Sequence, residues 1–306
     1  MSIIRCMEPV SVPDVTTGEG FIHQIKWDGI RGVSVLQNGG ITLYTKKGGI
    51  CTAAFPELLT LPAQLGAKQA VLDGEIVVFA DSGPSFYNVL RRSLTKSEAA
   101  IKRASEQYPA RYIIFDILFL NGEDLRGNPL SDRQRILRKH FKGTPTAALT
   151  DSFENGEALF ELMRKKNMEG IVSKRLDSRY TAGKRHGDWF KTKVLKKLLC
   201  VVTGIHLKNS LPASLALGVY RGGELIGVGA VSSGLNQSDW AQLKEYMESE
   251  KTDEQKDVVW VNPRLTCWVR FAEWTDHMTL RHPVLLGFSN KDAAEATGEE
   301  QSCERN

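Results

Sequence analysis

The stretch Lys26-Trp27-Asp28-Gly29-Ile30-Arg31-Gly32 places a lysine, a glycine turn and an arginine close together. Alone, the Lys-x-Asp-Gly pattern is short enough to recur by chance, and it also fits a strand that runs into a charged turn. Further motifs follow in order at Asp73-Gly74-Glu75, Phe115-Asp116, Glu169-Gly170-Ile171-Val172-Ser173-Lys174 and Trp189-Phe190-Lys191-Thr192-Lys193. The order of these motifs, rather than any single one, carries the prediction of the fold.

The motifs lie in or beside segments with strand-like patterns. Gly40–Thr45 and Val71–Phe79 alternate apolar residues or run continuously apolar, as half-buried and buried strands do. Tyr112–Gly122 is a buried strand that ends in an Asn-Gly turn signal. The first two-thirds of the chain is therefore predicted to be rich in strands.

Helices are predicted between these strands. Capping-box patterns predict helix starts at Thr95 and Ser131. A third helix is predicted over Glu157–Lys166. This mixture of strands and helices extends to about residue 196.

After residue 196 the sequence changes to short β-type segments with glycine-rich turns, interrupted by one predicted helix at Asp239–Glu248. This pattern is typical of a small β-barrel such as an OB-fold. We therefore predict one domain over residues 1–196, a β-barrel domain over 197–290 and a tail over 291–306.

The composition excludes several classes of protein. Hydrophobic residues make up 42% and charged residues 25% of the 306 residues, which excludes a largely disordered or fibrous chain. No apolar run approaches the roughly 18 residues of a membrane span, and the start MSIIRCMEPV lacks the apolar core of a signal peptide. The five cysteines are scattered without Cys-x-x-Cys spacing, so neither disulfides nor a zinc site is expected. We expect a cytoplasmic protein without a membrane partner.

The net charge of +4 is unevenly distributed. The last sixteen residues carry two basic and five acidic side chains, so residues 1–290 carry a formal charge of +7. A basic body is compatible with a polyanionic partner. The polar tail, 291–306, is predicted to be disordered because it has little apolar content.

The ordered motifs resemble the covalent nucleotidyltransferase superfamily, which contains ATP-dependent DNA ligases, RNA ligases and messenger-RNA capping enzymes. Within this set, Trp268 to Gly287 (WVRFAEWTDHMTLRHPVLLG) is similar to the end of the OB domain in bacterial ATP-dependent DNA ligases, especially the ligase module of bacterial end-joining ligases. The resemblance covers residues from about 6 to 290. It implies an α+β nucleotidyltransferase (adenylation) domain with antiparallel sheets, followed by an OB-fold domain, and the function of an ATP-dependent DNA ligase.

The resemblance makes Lys26 the nucleophile that attacks the α-phosphate of ATP and forms a lysyl-AMP phosphoramidate. Attack needs a neutral amine, yet at an ordinary pKa of about 10.4 only about one lysine in 2,500 is neutral at pH 7, a deficit of about 4–5 kcal/mol. Nearby cations disfavour the ammonium form and so lower the pKa. Arg31, Lys191, Lys193 and bound Mg²⁺ are the expected sources of this effect.

The resemblance also assigns the rest of the nucleotide site. Phe115 is expected to stack on adenine, although an aromatic residue on a strand is more commonly part of the core. Glu75 and Glu169 are expected to bind Mg²⁺ or Mn²⁺ beside the phosphates, where fixed cations also stabilise developing charge. The predicted nucleotide-binding residues are Gln24, Ile25, Arg31, Lys46, Glu75, Phe115, Val172, Lys174, Lys191 and Lys193.

Three positions depart from the family pattern. Gln24 stands where ligases usually carry a glutamate that reads the adenine amino group, and its carbonyl can accept the same hydrogen bond. Lys46 replaces an arginine, so the charge is kept but the bidentate fork is lost. In the terminal motif, which orients pyrophosphate in the family, Arg281 is present, Ser289 replaces an arginine and Lys291 is displaced by one residue.

A ligase must bind nicks in any sequence, so the predicted DNA surface is non-specific and salt-sensitive. The basic residues predicted for it are Lys46, Arg91, Arg92, Lys184 and Arg185. The expected partner is nicked double-stranded DNA, with end-joining or repair proteins as further candidates. We expect a monomer associated with the nucleoid.

Two other functions stay open. One is an enzyme of the same fold with another substrate, either an RNA ligase or a capping guanylyltransferase, against which the stretch from Trp268 to Gly287 argues. The other is a nucleic-acid-binding relative with weakened catalysis, which the altered terminal motif keeps open.

Overall fold

The computed structural model describes residues 5–80, 83–209, 211–255, 257–271, 273–275 and 277–302. The chain divides into two compact units, Met1–Lys193 and Val194–Asn306. The boundary predicted at residue 196 thus falls just inside the second unit. None of the helices in the described ranges is long and apolar enough to cross a membrane.

In the residues described, the first unit combines eleven strands with four helices. The strands are β1 (Glu8–Ser11), β2 (Phe21–Ile25), β3 (Ile30–Gln37), β4 (Gly40–Thr45), β5 (Gln69–Ala80), β6 (Gly83–Pro84), β7 (Ala110–Leu120), β8 (Glu123–Asp124), β9 (Ala147–Leu149), β10 (Gly170–Arg175) and β11 (Arg185–Lys193). The helices are α1 (Phe86–Leu94), α2 (Glu98–Gln107), α3 (Leu130–His140) and α4 (Gly156–Lys165), with 3-10 segments at Thr52–Ala54 and Pro56–Gln64.

Two sheets organise this unit. A seven-stranded sheet has the order β4-β3-β5-β7-β8, with β6 on β5 and β9 on β7, and a four-stranded sheet has the order β1-β11-β10-β2. All pairs are antiparallel except β1 with β11 and β7 with β9. The predicted strands at 40–45, 71–79 and 112–122 therefore lie together in one mainly antiparallel sheet, and the α+β class is confirmed.

The seven-stranded sheet is covered on both faces, which explains its continuous apolar runs. Tyr112 and Ile114 of β7 pack in the core on one face. On the other face, Phe115 packs against a cluster that includes Trp189 and Tyr180, and these come from β11 and the segment before it. Phe115, a predicted site residue, therefore lies between the two sheets.

The predicted helices exist, but the predicted caps were wrong. Thr95 ends α1 instead of starting α2, whose N-cap is Ser97. Ser131 lies inside the first turn of α3. A capping-box pattern only says that a helix start is compatible with those residues, whereas the packing of each helix on the sheet fixes where it begins.

The described part of the second unit contains a sheet of eight strands and one helix. Its elements are β12 (Lys196–Lys208), β13 (Leu211–Arg221), β14 (Glu224–Val231), α5 (Gln237–Glu250), β15 (Lys251–Gln255), β16 (Val258–Val261), β17 (Thr266–Phe271), β18 (Glu273–Trp274), β19 (Leu280–Arg281), β20 (Val284–Ser289), a 3-10 segment (Ala293–Glu295) and β21 (Glu300–Ser302). Strands β18 and β19 form a separate pair.

The long strand β12 is the centre of this unit. It pairs with β17 and β16 along one edge and with β21 and β13 along the other, and its register shifts twice. Bulges bend a strand and increase its twist, so one strand can pair with different neighbours along its length. This arrangement fits the predicted small β-barrel.

The prediction of a disordered tail was wrong for residues 291–302, whereas 303–306 lie outside the described residues. Strand β21 pairs with the start of β12, Ala296 is fully buried, and Glu300 lies 2.5 Å from Lys196 Nζ. A short strand that joins an existing sheet edge needs few apolar residues of its own, so composition could not reveal it.

Candidate active site

Lys26 directly follows β2 of the four-stranded sheet, and its side chain contacts the carboxylate of Glu169. Its backbone N–H donates to Gly170 O at 2.9 Å, which continues the pairing of β2 with β10. This pairing brings Lys26 Nζ to 2.6 Å from Glu169 Oε2, and Lys193 Nζ lies 3.3 Å from Glu169 Oε1. Three predicted site residues from three strand ends thus form one ion-pair cluster.

The glycines of the motifs are needed because backbone segments pass very close to them. A Cβ atom on Gly29 would lie 2.3 Å from Ile76 O. Gly170 has a φ of +136°, and a Cβ atom there would lie 2.1 Å from Thr192 O. A side chain at either position would push the strands apart beside Lys26.

Arg31 and Phe115 form the second part of the site. Arg31 makes a bidentate pair with Asp73, with both N–H···O distances at 2.6 Å. The Arg31 guanidinium carbon lies 4.5 Å from the centre of the Phe115 ring. Lys174 Nζ lies 4.2 Å from the centres of the Phe115 and Trp189 rings. Cations and an aromatic ring therefore line one small region, as a site for a nucleotide requires.

Gln24 carries an unused buried acceptor. Its side chain is buried, and its Nε2 donates to Ser152 Oγ at 3.0 Å. Its Oε1 is buried with no hydrogen-bond partner within the described residues. A buried oxygen without a donor is unfavourable unless a ligand supplies one. This oxygen suits the amino group that the sequence prediction assigns to Gln24.

The strand register places two more predicted residues beside Gln24. Val172 is the register partner of Gln24 on one side and of Lys191 on the other. Ile25, opposite Ile171, is half-buried directly before Lys26. Gln24, Val172 and Lys191 thus form one row across the four-stranded sheet, and Ile25 lies in the adjacent row.

The electrostatics of Lys26 differ from the expectation that cations lower its pKa. Burial alone would lower the pKa of Lys26, but the carboxylates of Glu169 and Glu75 outweigh burial and hold that pKa above its ordinary value. The prediction was wrong in sign for this state of the protein because the pattern showed the cations near Lys26 but not the distance of 2.6 Å to Glu169. The amine is therefore a paired ammonium.

Glu75 and Glu169, the two predicted metal-binding residues, interact unfavourably when both are ionised. Burial raises the pKa of Glu75 to about 8, and the charge of Glu169 acts in the same direction. A cation near both carboxylates would relieve this repulsion. Within the ranges described, no group of three or more His, Cys, Asp or Glu side chains is suited to a metal ion. Two carboxylates that interact in this way fit a cation that substrate phosphates also bind, as they commonly bind Mg²⁺.

Lys174 is a buried amine with a lowered pKa. Its side chain is 3% exposed, and burial lowers its pKa to about 7 although Asp116 acts in the opposite direction. In the unfolded chain this pKa returns to its ordinary value near 10.5. The cost of burying Lys174 is therefore full below about pH 7 and disappears as the pH rises towards 10.5.

Replacing Lys174 by methionine should remove this pH dependence. Relative to the variant, the parental protein should gain about 2 kcal/mol in free energy of unfolding between pH 7 and pH 9, because folding releases a proton there. Urea titrations at both pH values measure the difference. Lys165→Met, at an exposed position of α4, is the matched control. Parallel pH curves for the parent and Lys174→Met would contradict the prediction.

The predicted DNA-binding residues differ in how far their side chains are exposed to solvent. Lys46 and Arg185 converge on one oxygen of Glu8, at 2.9 Å and 3.6 Å, with both basic side chains at least half exposed. Lys184 and Arg91 are exposed. These four cations are accessible to a polyanion.

Arg92 is the exception, and its predicted DNA contact is wrong. Its side chain is 2% exposed and pairs with Glu57, and it also donates to Ala54 O at 2.6 Å. Glu57 in turn accepts from Ala110 N–H at 2.6 Å. Arg92 holds α1 to the 3-10 segments and β7, because one helix face turns inward while its neighbour Arg91 faces solvent.

The residues of the terminal motif lie in the second unit. Arg281 is exposed in β19. Lys291 Nζ lies 2.5 Å from Glu295 Oε2, and Thr266 Oγ1 donates to the carbonyls of Ser289 and Lys291 at 3.0 Å and 2.8 Å. Lys291 is thus anchored at the end of β20 and carries an acidic partner that the sequence analysis did not consider.

Sequence reasoning missed the residues that hold the site in place. Asp73 was quoted only as part of a motif, and Tyr180 and Arg133 were not considered. Arg133 forms a bidentate pair with Asp116 at 2.8 Å and 2.9 Å, and both side chains are fully buried. The position of Asp116 in an apolar strand was a usable signal, because a buried carboxylate requires a cationic partner.

A partly buried lysine beside carboxylates, an aromatic ring flanked by cations, and a separate small β-sheet unit define the class of covalent nucleotidyltransferases with an OB-type domain. Comparison with known proteins gives the family. The ATP dependent DNA ligase domain matches residues 8–193, and the ATP dependent DNA ligase C terminal region matches residues 208–291. The chain belongs to the ATP-dependent DNA ligase family, as the motifs predicted.

Individual relatives agree with this result. The multifunctional non-homologous end joining DNA repair protein LigD of Mycobacterium tuberculosis is 31% identical over 278 residues, which are 86% of this chain and 35% of that protein. The SPbeta prophage-derived DNA ligase-like protein LigB of Bacillus subtilis is 29% identical over 275 residues, covering 89% of this chain and 94% of that protein. The predicted similarity to the ligase module of end-joining ligases is confirmed.

Solved structures confirm the predicted fold, a nucleotidyltransferase domain followed by an OB-fold. The structure of mycobacterial DNA ligase D complexed with ATP and MES has a TM-score of 0.56 and 27% sequence identity, and the match covers 97% of this chain and 98% of that one. The chain spans 35% of the length of the mycobacterial LigD relatives.

Proposed function

We propose that this protein seals nicks between a 3′-hydroxyl and a 5′-phosphate in double-stranded DNA, with ATP as the cofactor. The observation that supports this most is Lys26, a partly buried amine in contact with Glu169, in the same unit as the pair of Arg31 and Phe115. Lys26 would form lysyl-AMP and release pyrophosphate. AMP then passes to the 5′-phosphate of the nick, and the 3′-hydroxyl displaces it.

Each nearby group has a role in this proposal. Phe115 stacks on adenine, Gln24 Oε1 accepts from the adenine amino group, and Arg31 holds the ribose-phosphate part. Lys174, Lys191 and Lys193 bind phosphate oxygens, where fixed cations stabilise charge that develops in the transition state. In the second unit, Arg281 and Lys291 would align the leaving pyrophosphate.

Glu75 and Glu169 would hold Mg²⁺ or Mn²⁺. When bound, the ion would neutralise negative charge on the phosphates. The contact between Glu169 and the Lys26 ammonium implies that Lys26 becomes nucleophilic only when Glu169 acquires another partner. Lys26 would then be stabilised less as an ammonium, and the surrounding cations would lower its pKa.

The deciding experiment is the sealing of a labelled nicked duplex by the purified protein with ATP and Mg²⁺. Parallel incubations with radiolabelled ATP and GTP separate this function from capping, which would label the protein with GMP. A nicked substrate with RNA strands tests the RNA ligase alternative. Labelling with GTP alone, or sealing of RNA alone, would reject the proposal.

Binding of nicked DNA should be nearly independent of sequence and strongly dependent on salt. Lys46→Gln and Arg185→Gln should each reduce the slope of log affinity against log salt concentration by about 1, because each removes one phosphate contact. Fluorescence anisotropy over about 50–200 mM salt measures this slope. Lys165→Gln is the control. A strong preference for one flanking sequence, or unchanged slopes, would contradict the prediction.

We further propose that the protein acts as a monomer at the nucleoid in the cytoplasm and works with end-joining or repair proteins. The support for end joining is the similarity to LigD, whose name includes non-homologous end joining. Sedimentation of the protein with and without nicked DNA tests whether the protein is a monomer.

A further inference from the structure

Tyr180 connects three distant parts of the first unit through its hydroxyl group. It lies between β10 and β11 and is 4% exposed. Its Oη donates to Asp73 Oδ2 at 2.6 Å and accepts from the backbone N–H of Met7 at 2.9 Å. Burial, and next the Asp73 carboxylate, keep the pKa of Tyr180 well above its ordinary value, so the hydroxyl stays protonated and donates.

Asp73 passes this restraint to Arg31. The same oxygen that accepts from Tyr180, Asp73 Oδ2, also accepts from Arg31 Nη2 at 2.6 Å. Arg31 Nη2 in addition donates to Met7 O at 3.2 Å, so the backbone of Met7 contacts both Tyr180 and Arg31. The result is a closed ring of hydrogen bonds that leaves Arg31 at 4.5 Å from the Phe115 ring centre.

The ring of Tyr180 is held separately from its hydroxyl. It packs edge-on against Trp189 with ring centres 5.8 Å apart, and the Arg133 guanidinium lies 5.9 Å from its centre. A phenylalanine would keep these contacts. The hydroxyl can therefore be removed without removing the packing of the ring.

We propose that Tyr180 is a positioning residue of the nucleotide site: its hydroxyl fixes Asp73 and, through Asp73, holds Arg31 in the orientation that receives ATP. Tyr180 itself does not touch the nucleotide. The inference rests on the proposed function only in that ATP is the ligand of the Arg31 and Phe115 region.

The test measures ATP binding separately from chemistry. In a Lys26→Ala background, which cannot be adenylylated, equilibrium dialysis with radiolabelled ATP gives the dissociation constant. Tyr180→Phe should raise that constant about tenfold, because a hydrogen bond to a charged group is lost and Arg31 is less restrained. The thermal midpoint of each variant is recorded in parallel.

Tyr112→Phe is the matched control. The Tyr112 hydroxyl is also buried in the seven-stranded sheet, 2.8 Å from Gly32 O and 3.1 Å from Leu72 O. Its removal should lower the thermal midpoint but leave ATP affinity within about twofold. A purely structural role for Tyr180 would make the two variants alike in both measurements, and this would overturn the proposal.

An Arg31→Lys background tests whether Tyr180 affects ATP binding through Asp73 and Arg31. Lysine cannot reproduce the bidentate pair with Asp73, so Tyr180→Phe should weaken ATP binding little in that background. An undiminished tenfold effect would show that Tyr180 acts by another route and would overturn the proposal. Failure of the parental protein to seal nicks, with ATP binding still dependent on Tyr180, would reject the proposed function alone.

Discussion

Lys26→Arg is expected to abolish formation of the protein–AMP adduct and the sealing of a 5′-phosphorylated nick. Arginine keeps a cation beside Glu169, which lies 2.6 Å from Lys26 Nζ, so the ion pair and the local fold should survive. The guanidinium stays protonated and cannot act as a nucleophile. Gel electrophoresis after incubation with labelled ATP measures the adduct, and intact-protein mass spectrometry checks for one added AMP.

The same variant should still seal a nick that already carries AMP. That step depends on the position of the two DNA ends and not on the amine. Lys68→Ala, at an exposed lysine in the first unit, serves as the control and should form the adduct at the parental rate. Covalent AMP on the Lys26→Arg protein would refute the assignment of the nucleophile.

Arg133→Met is expected to reduce the free energy of unfolding by about 3–5 kcal/mol. Arg133 and Asp116 are fully buried, and removal of the guanidinium leaves a carboxylate in the core without its charge partner. The backbone oxygens of Asn128 and Ser178 also lose the donor Arg133 Nη1, at 2.6 Å and 2.9 Å. Urea titration of the parent and the variant gives the difference.

The control for this prediction is Arg135→Met, two residues further along α3. Arg135 is 75% exposed and pairs with Asp132 at 2.8 Å, and an exposed pair of this kind contributes only about 0–1 kcal/mol. The double variant Asp116→Leu/Arg133→Met should recover part of the loss, because neither charge of this pair then stays buried. Equal stability of Arg133→Met and Arg135→Met would disprove the argument.

The order of the motifs was sufficient to predict the family and most of the candidate site. Lys26, Glu169 and Lys193 were chosen from three separate motifs, and the structure brings them within hydrogen-bond or ion-pair distance. Arg31 and Phe115 also lie together. Such motifs are readable in the sequence because each needs a particular residue type at a fixed place on a strand or turn.

Predictions that depended on the surroundings of a side chain were less successful. Arg91 and Arg92 looked equivalent, but only Arg91 faces solvent. The pKa of Lys26 was expected to fall, whereas the carboxylates of Glu169 and Glu75 raise it. Charge type is visible in the sequence, but a pKa depends on distances and burial, which are known only after folding.

The sequence by itself therefore determined the α+β class, the second β-sheet unit and the ligase family, and it predicted Lys26 as a site residue. Only the tertiary structure decided that Arg133 neutralises Asp116, that Tyr180 holds Asp73, and that residues 291–302 join the sheet of the second unit through β21. The physical reason is that the partners in these contacts are far apart along the chain. Motifs and periodicity record local requirements of the backbone, whereas these contacts join residues that become neighbours only when the sheets pack.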